Sequence, residues 1–293
     1  MNLRPTRLHD IIGQTNIKKR LNISIKACQT LNEPLPHLLF YGPSGTGKTT
    51  FAQAIANELN YPIEIGNGAN IQSIKSLLPY LMRLKENSIL FIDELHRLPI
   101  KVAELLYVCI EEFRVDIGNK DSVSIDLPKF TFIGATTNSG LIPKPLYDRF
   151  VLKFPLSLYS VSELEEIITA NAKKSGVLLS PEAVNTIATS SRHTPRIANN
   201  RLKWIRHYGV SHGINIIKNQ DILNALSLEG VNKDGIDNND IKYLSVLKQH
   251  QPAGINTLSS LTNISRDTIE EVIEPFLLKL NKIKKTQKGR MLC

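Results

Sequence analysis

Over roughly the first half of the chain, short apolar runs alternate with longer stretches whose apolar residues recur at helical spacing. LLFY (38–41), PIEI (62–65), SILFI (88–92), FTFIG (130–134) and VLKF (151–154) predict five strands, and helices are predicted over 49–59, 74–85 and 100–113. Strands that are apolar throughout, and not at every second position, are covered on both faces. This order of elements therefore predicts an α/β domain on a five-stranded parallel sheet. Beyond Val161 the strand signals stop. In SVSELEEIITANAKKSG, Ser162 is the predicted cap and Leu164, Ile167 and Ile168 share a face, opening a small helical domain that runs to about Leu228. EGVNKDGIDNND (229–240) has the Gly, Asn and Asp content of a linker. The remainder reads as a short helix, a turn capped by Ser265, a second helix that Pro275 should kink or end, and a terminal β-ribbon. That is the order of a winged helix. The expected domains are 1–158, 159–228 and 229–293.

Composition narrows the function classes. With 36 Lys and Arg against 27 Asp and Glu, the chain carries a formal charge of +9, which calls for an anionic partner. The content of 42% hydrophobic and 22% charged residues excludes a disordered chain. Cys28, Cys109 and Cys293 lie far apart, so they build neither a disulfide framework nor a paired-cysteine metal site. A reducing, cytoplasmic setting is expected. No run is long and apolar enough for a membrane helix, and MNLRPTRLHD lacks the apolar stretch of an export signal, so no membrane partner is expected.

The strongest chemical signal is GPSGTGKT (42–49), which follows a predicted strand and opens a predicted helix. Glycines let the backbone close around phosphate, the helix N-terminus offers N–H donors, Lys48 adds a point charge and Thr49 offers a hydroxyl to Mg²⁺. About forty residues later SILFIDE places Asp93 and Glu94 at the C-terminal end of a buried strand, where parallel sheets bind ligands. At that position Asp93 suits the Mg²⁺ shell, and Glu94 suits a water aimed at the γ-phosphate of ATP.

Several segments together carry a resemblance: LRPTRLHDIIGQ (3–14), the phosphate loop, ILFIDELHRL (89–98), FTFIGATTNSG (130–140), PLYDRF (145–150) and HTPRIAN (193–199). The chain closely resembles the RuvB family of AAA+ motors, which drive Holliday-junction branch migration. The resemblance implies that Leu3 and Arg4 touch the adenosine end of the nucleotide, Ile12 lines the adenine pocket, and Gly45, Gly47, Lys48, Thr49 and Thr50 hold the phosphates. It implies a γ-phosphate sensor at Thr137, a nucleotide-proximal stretch at Glu111, Glu112 and Phe113, an arginine finger at Arg149, a second sensor at Arg196 and a nucleotide-side tyrosine at Tyr159. Such a finger acts on a neighbouring subunit's ATP, so activity would need a homo-oligomeric ring, a hexamer in this family.

In the last domain Lys279, Lys282, Lys284, Lys285, Lys288 and Arg290 occur without an acid after Lys279. The resemblance implies that Lys285 and Arg290 contact double-stranded DNA of a four-way junction through its phosphates. It also implies RuvA and RuvC as partners. The segment 113–130 is several residues shorter than the family's RuvA-docking hairpin and has the polar turn GNKD, so a weak RuvA contact or a different loader is expected. Tyr147 stands where the family has an arginine. His193 stands where it has glycine and is expected to be a surface substitution. A clamp-loader-like ATPase and a nucleotide-switched DNA-binding scaffold are the alternative readings.

Overall fold

The computed structural model describes residues 3–117 and 123–293; the GNKD turn lies outside them. The chain divides into two compact units, one of residues 4–42 and 47–157, the other of Leu3, 43–46 and 158–293.

The first unit contains the expected five-stranded parallel sheet. Its strands are β1 (Leu38–Tyr41), β2 (Ile63–Asn67), β3 (Ser88–Asp93), β6 (Phe130–Thr136) and β7 (Leu152–Pro155), in the order β2-β3-β6-β1-β7. A short antiparallel hairpin, β4 (Arg114–Ile117) and β5 (Val123–Asp126), intervenes in sequence. The central strands β1, β3 and β6 are buried along most of their length because both faces are packed. Leu39, Leu90, Ile92 and Phe132 join one core cluster, while Leu38, Phe40, Ile89, Phe91 and Ile133 join the other. Helices α2 (Lys48–Leu59), α3 (Ile74–Leu81), α4 (Ile100–Glu112) and α5 (Lys144–Asp148) lie between strands. The sequence reading missed α1 (Thr15–Leu31). Its buried residues Ile17, Leu21 and Ile25 recur every four positions, but the polar and basic residues between them dilute the signal.

The second unit opens with α6 (Val161–Ser175), capped by Ser160 rather than Ser162: the Ser160 hydroxyl accepts from the Glu163 N–H, and Glu163 returns the bond to the Ser160 N–H. Helices α7 (Pro181–Ser190), α8 (Pro195–Ser211) and α9 (Asn219–Leu228) complete the helical core, and the two-residue strands β8 (Leu178–Leu179) and β9 (Ile216–Ile217), which the sequence hid, pair in parallel. The expected linker is a packed junction. Asp237 caps α10 (Asn238–His250), and the buried Arg192 reaches Asp237 at 3.0 Å and the fully buried Asp240 at 2.7 Å. The Arg192 guanidinium also lies 4.4 Å from the Phe276 ring centre. Removing one partner of such a buried pair strands the other charge. Arg192→Ala is expected to destabilise this unit by about 3–5 kcal/mol, measurable by denaturant unfolding; a loss below about 1 kcal/mol would mean that Asp240 finds water instead.

After α11 (Ile255–Thr262), Ser265 caps the second winged-helix element as expected. Pro275 does not end it. The helix, α12 here, runs over 266–279, and its turn Ile269–Ile273, just before the proline, is π-helical. The wider turn accommodates a ring that would otherwise meet a carbonyl of the preceding turn. Strands β10 (Ile283–Thr286) and β11 (Gly289–Leu292) form the terminal ribbon, with Lys285 opposite Arg290.

Candidate nucleotide site and DNA-facing domain

The phosphate loop leaves β1 at Gly42, whose φ of +138° and backbone close to Leu156 leave no room for a side chain: a Cβ would lie 2.2 Å from the Leu156 carbonyl oxygen. Gly47, at φ +105°, stands at the N-terminus of α2. The buried Lys48 donates to the Gly42 carbonyl at 2.8 Å, which holds its ammonium against the loop backbone. The Thr49 hydroxyl donates to Asp93 at 3.0 Å, and Thr50 is half-buried one position along α2. A hydroxyl and a carboxylate at one point form the all-oxygen donor set that suits Mg²⁺. The two residues that the sequence placed on the metal are therefore together.

Glu94 follows Asp93 in the left-handed region, at φ +50°, and its N–H donates to the Asp93 carboxylate at 2.9 Å. A non-glycine residue held there is strained, a feature that concentrates at functional sites. Its carboxylate lies 3.6 Å from His96 Nδ1, and that nitrogen is 2.9 Å from the hydroxyl of the buried Thr136. Thr136 also accepts from the Asn138 N–H at 3.0 Å, so it ties the end of β6 and the neighbouring Thr137 to the DELH segment. Sequence reasoning missed His96 and Thr136. The available signal was their position at and just beyond the C-terminal ends of two adjacent strands, Thr136 closing β6 and His96 three residues past β3.

The crest of the loop, 43–46, belongs to the second unit, together with Arg196 on the first turn of α8. Arg196 donates to the Ser44 hydroxyl at 3.1 Å. Gly45, at φ +79°, leaves only 3.3 Å between a built Cβ and the Cβ atoms of Arg196 and Thr194. The lid arginine and the loop are thus in contact. Leu3 is buried against Ala172 and Leu202 in the same unit, while in the first unit Arg4 is exposed and Ile12 half-buried. Tyr159 packs into the helical core. Its backbone and that of His193 are joined, the Tyr159 N–H donating to the His193 carbonyl at 2.9 Å, and the His193 ring donates from Nδ1 to the Tyr159 carbonyl at 2.8 Å. His193 is therefore a half-buried joint and not a surface substitution. Its φ of +58° explains why a glycine fits the same place.

The stretch Glu111, Glu112 and Phe113 is not at the chain's own phosphate loop. His37, just before β1, lies 3.2 Å from the Ile110 carbonyl through Nε2, and the Phe113 ring stacks edge-on against Phe130 at the start of β6. The end of α4 is therefore at the N-terminal edge of the sheet, whereas the loop is at the C-terminal edge, roughly 13 Å away along a four-residue strand. Arg149 shares that remote edge: its Nη1 pairs with Glu111 at 2.5 Å and its Nη2 donates to the Tyr107 hydroxyl at 2.7 Å.

In the winged helix, Lys285 and Arg290 are turned toward their own domain. Both pair with Glu274, fully buried on α12, at 2.6 Å and 2.8 Å, and the Tyr243 hydroxyl donates to the same carboxylate at 3.0 Å. Burial would raise the Glu274 carboxyl, but the hydrogen bonds from Arg290 and Lys285 outweigh it and hold it below the usual carboxylate range. Lys282, Lys284 and Lys288 are exposed.

A phosphate loop in contact with an arginine on a helical lid is the organisation of the AAA+ class of P-loop proteins. Within that class the chain belongs to the RuvB family. The description "Holliday junction DNA helicase RuvB P-loop domain" fits residues 3–156, "RuvB AAA lid domain" fits 159–232 and "RuvB C-terminal winged helix domain" fits 233–293. The chain is 43% identical over 298 residues to the Holliday junction branch migration complex subunit RuvB of Orientia tsutsugamushi, covering 99% of this chain and 92% of that one. It is 40% identical over 297 residues to the corresponding subunit of Rhodopirellula baltica, covering 99% and 81%. The solved Thermotoga maritima RuvB, titled a Holliday junction branch migration motor, superposes with a TM-score of 0.92 at 36% identity and covers 99% of this chain and 95% of its own. These matches favour the branch-migration reading over the clamp-loader and scaffold readings. Among the described residues no helix is long and apolar enough to cross a membrane.

Proposed function

We propose that the chain is an ATP-driven branch-migration motor, a cytoplasmic protein that assembles as a homo-oligomeric, hexameric ring on the double-stranded DNA of a Holliday junction. One observation supports it most: Arg149 is held at the opposite edge of the sheet from the chain's own phosphate loop, so a finger at that place must serve a neighbour. ATP would be cradled by Gly45, Gly47, Lys48, Thr49 and Thr50, with Leu3, Arg4, Ile12 and Tyr159 toward its adenosine. Mg²⁺, held by Thr49 and Asp93, would neutralise charge on the phosphates. Glu94 would orient the attacking water, His96 and Thr136 would fix Glu94 and Thr137 relative to each other, and Arg196 would report the loop's state to the lid. The division of labour follows the domains 1–158, 159–228 and 229–293. Duplex phosphates would be met by Lys282, Lys284 and Lys288, with Lys285 at their margin. RuvC is an expected partner, and RuvA a weak one because the hairpin is short.

Branch migration of a synthetic four-way junction by the full chain with ATP, with and without RuvA of the same organism, tests the proposal. Strand exchange that requires ATP and is abolished by Lys48→Ala is the expected result. ATP hydrolysis that duplex DNA stimulates without any exchange would overturn the motor reading.

A further inference from the structure

Arg149 is unusually well held for a surface arginine. The Tyr107 hydroxyl accepts from Nη2 at 2.7 Å, the Glu111 carboxylate meets Nη1 at 2.5 Å, and the Tyr107 ring centre lies 4.9 Å from the guanidinium carbon. Tyr107 and Glu111 stand four residues apart on α4, so they share one face on successive turns. α4 is itself fixed to the sheet edge by His37, whose Nε2 donates to the Ile110 carbonyl while Nδ1 accepts from the Phe132 N–H at 3.0 Å. Burial lowers the His37 pKa, which keeps the ring in the neutral form that this pair of bonds needs. The Arg149 side chain is 37% exposed, and a fork of five N–H donors still has donors to offer outward.

A free arginine side chain samples many rotamers, and fixing it at the moment of phosphoryl transfer costs entropy. Fixing it beforehand lowers the barrier and leaves nucleotide affinity unchanged. We propose that Tyr107, assisted by Glu111, is the positioning residue for Arg149: it aims the guanidinium at the γ-phosphate bound by the neighbouring subunit. The inference rests on the reading of Arg149 as a finger acting in trans. Glu111, which the resemblance put beside the nucleotide, acts here through the arginine.

The test uses full-length chains mixed on duplex DNA, with steady-state ATP hydrolysis as the readout. Lys48→Ala subunits keep the finger and lose the loop, whereas Arg149→Ala subunits keep the loop and lose the finger. Their mixture is expected to recover activity, and no recovery in rings shown to co-assemble would refute the trans finger itself. Tyr107→Phe, which keeps the ring and removes the hydroxyl, is then added to one partner at a time. On the Lys48→Ala partner, where it accompanies the working finger, it is expected to cut the recovered rate about tenfold with an unchanged KM for ATP. On the Arg149→Ala partner it is expected to change nothing. Recovery in the first mixture with equal effects of Tyr107→Phe on both sides, or none on either, would overturn the positioning role and leave the trans finger standing.

Discussion

Glu94→Gln is expected to keep ATP binding and to lose turnover by a factor of about 10²–10⁴, the range that a positioned general base contributes. Glutamine preserves size and hydrogen-bonding reach but cannot attract a proton from water. Binding should survive because Lys48, Thr49 and Asp93 keep their contacts, and because the Glu94 backbone, not its side chain, joins Asp93. The left-handed backbone at Glu94 is the same for either residue, so strain does not confuse the comparison. Equilibrium binding of labelled ATP and steady-state phosphate release on duplex DNA measure the two quantities separately. Turnover within threefold of the parent would assign the water to another group, and parallel loss of binding would mean that the residue holds the loop.

Changing Lys285 and Arg290 together to Glu is expected to abolish DNA binding, but by unfolding the winged helix. Glu274 is fully buried, and its charge is balanced by these two cations. Reversal would add two carboxylates beside Glu274, with Glu270 already 3.5 Å from the Arg290 guanidinium, and loss of even one partner from a buried pair costs about 3–5 kcal/mol. Circular dichroism and a thermal scan should therefore show a lost transition in the double variant. In contrast, Lys282, Lys284 and Lys288 changed to Gln should leave the fold intact and lower the slope of log K against log salt by about 0.9 for each phosphate contact removed. A folded double variant with a reduced salt slope would return Lys285 and Arg290 to direct phosphate contact.

Acid gives the same site a second signature. Because the folded-state value of Glu274 is depressed, its contribution to stability is present above the unfolded carboxylate value of about 4.3 and is lost as pH falls through the folded value. Glu274→Gln should flatten that acid limb in a series of thermal scans.

The runs 38–41, 88–92 and 130–134 were legible as sheet strands because both faces of each are packed, which makes them apolar at consecutive positions and not at every second one. The loop 42–49 was legible because a phosphate cradle is built from consecutive residues, so its chemistry is written in the local order of the chain. Asp93 and Glu94 were legible for a related reason, since a strand end fixes where its last residues point.

What the sequence left open depends on partners distant along the chain. The resemblance marks Arg149 as a finger, but what holds it is invisible until folding brings Tyr107, 42 residues earlier, against it. Arg290 reads as a DNA-binding charge until α12 supplies the buried Glu274. Glu111 to Phe113 read as nucleotide-proximal without saying to which nucleotide; the antiparallel return of α4 carries them away from the chain's own phosphate loop, to the edge of the sheet that holds Arg149. The segment 229–240 looked like a linker because the partner of its carboxylates Asp237 and Asp240 is Arg192, 45 and 48 residues away along the chain. The sequence by itself determined the repeating backbone elements and the phosphate loop, which short-range sterics and burial set. Only the tertiary structure decided which charges are spent inside the fold and which remain for a ligand, because Coulomb energy and desolvation depend on distances in space and not on position along the chain.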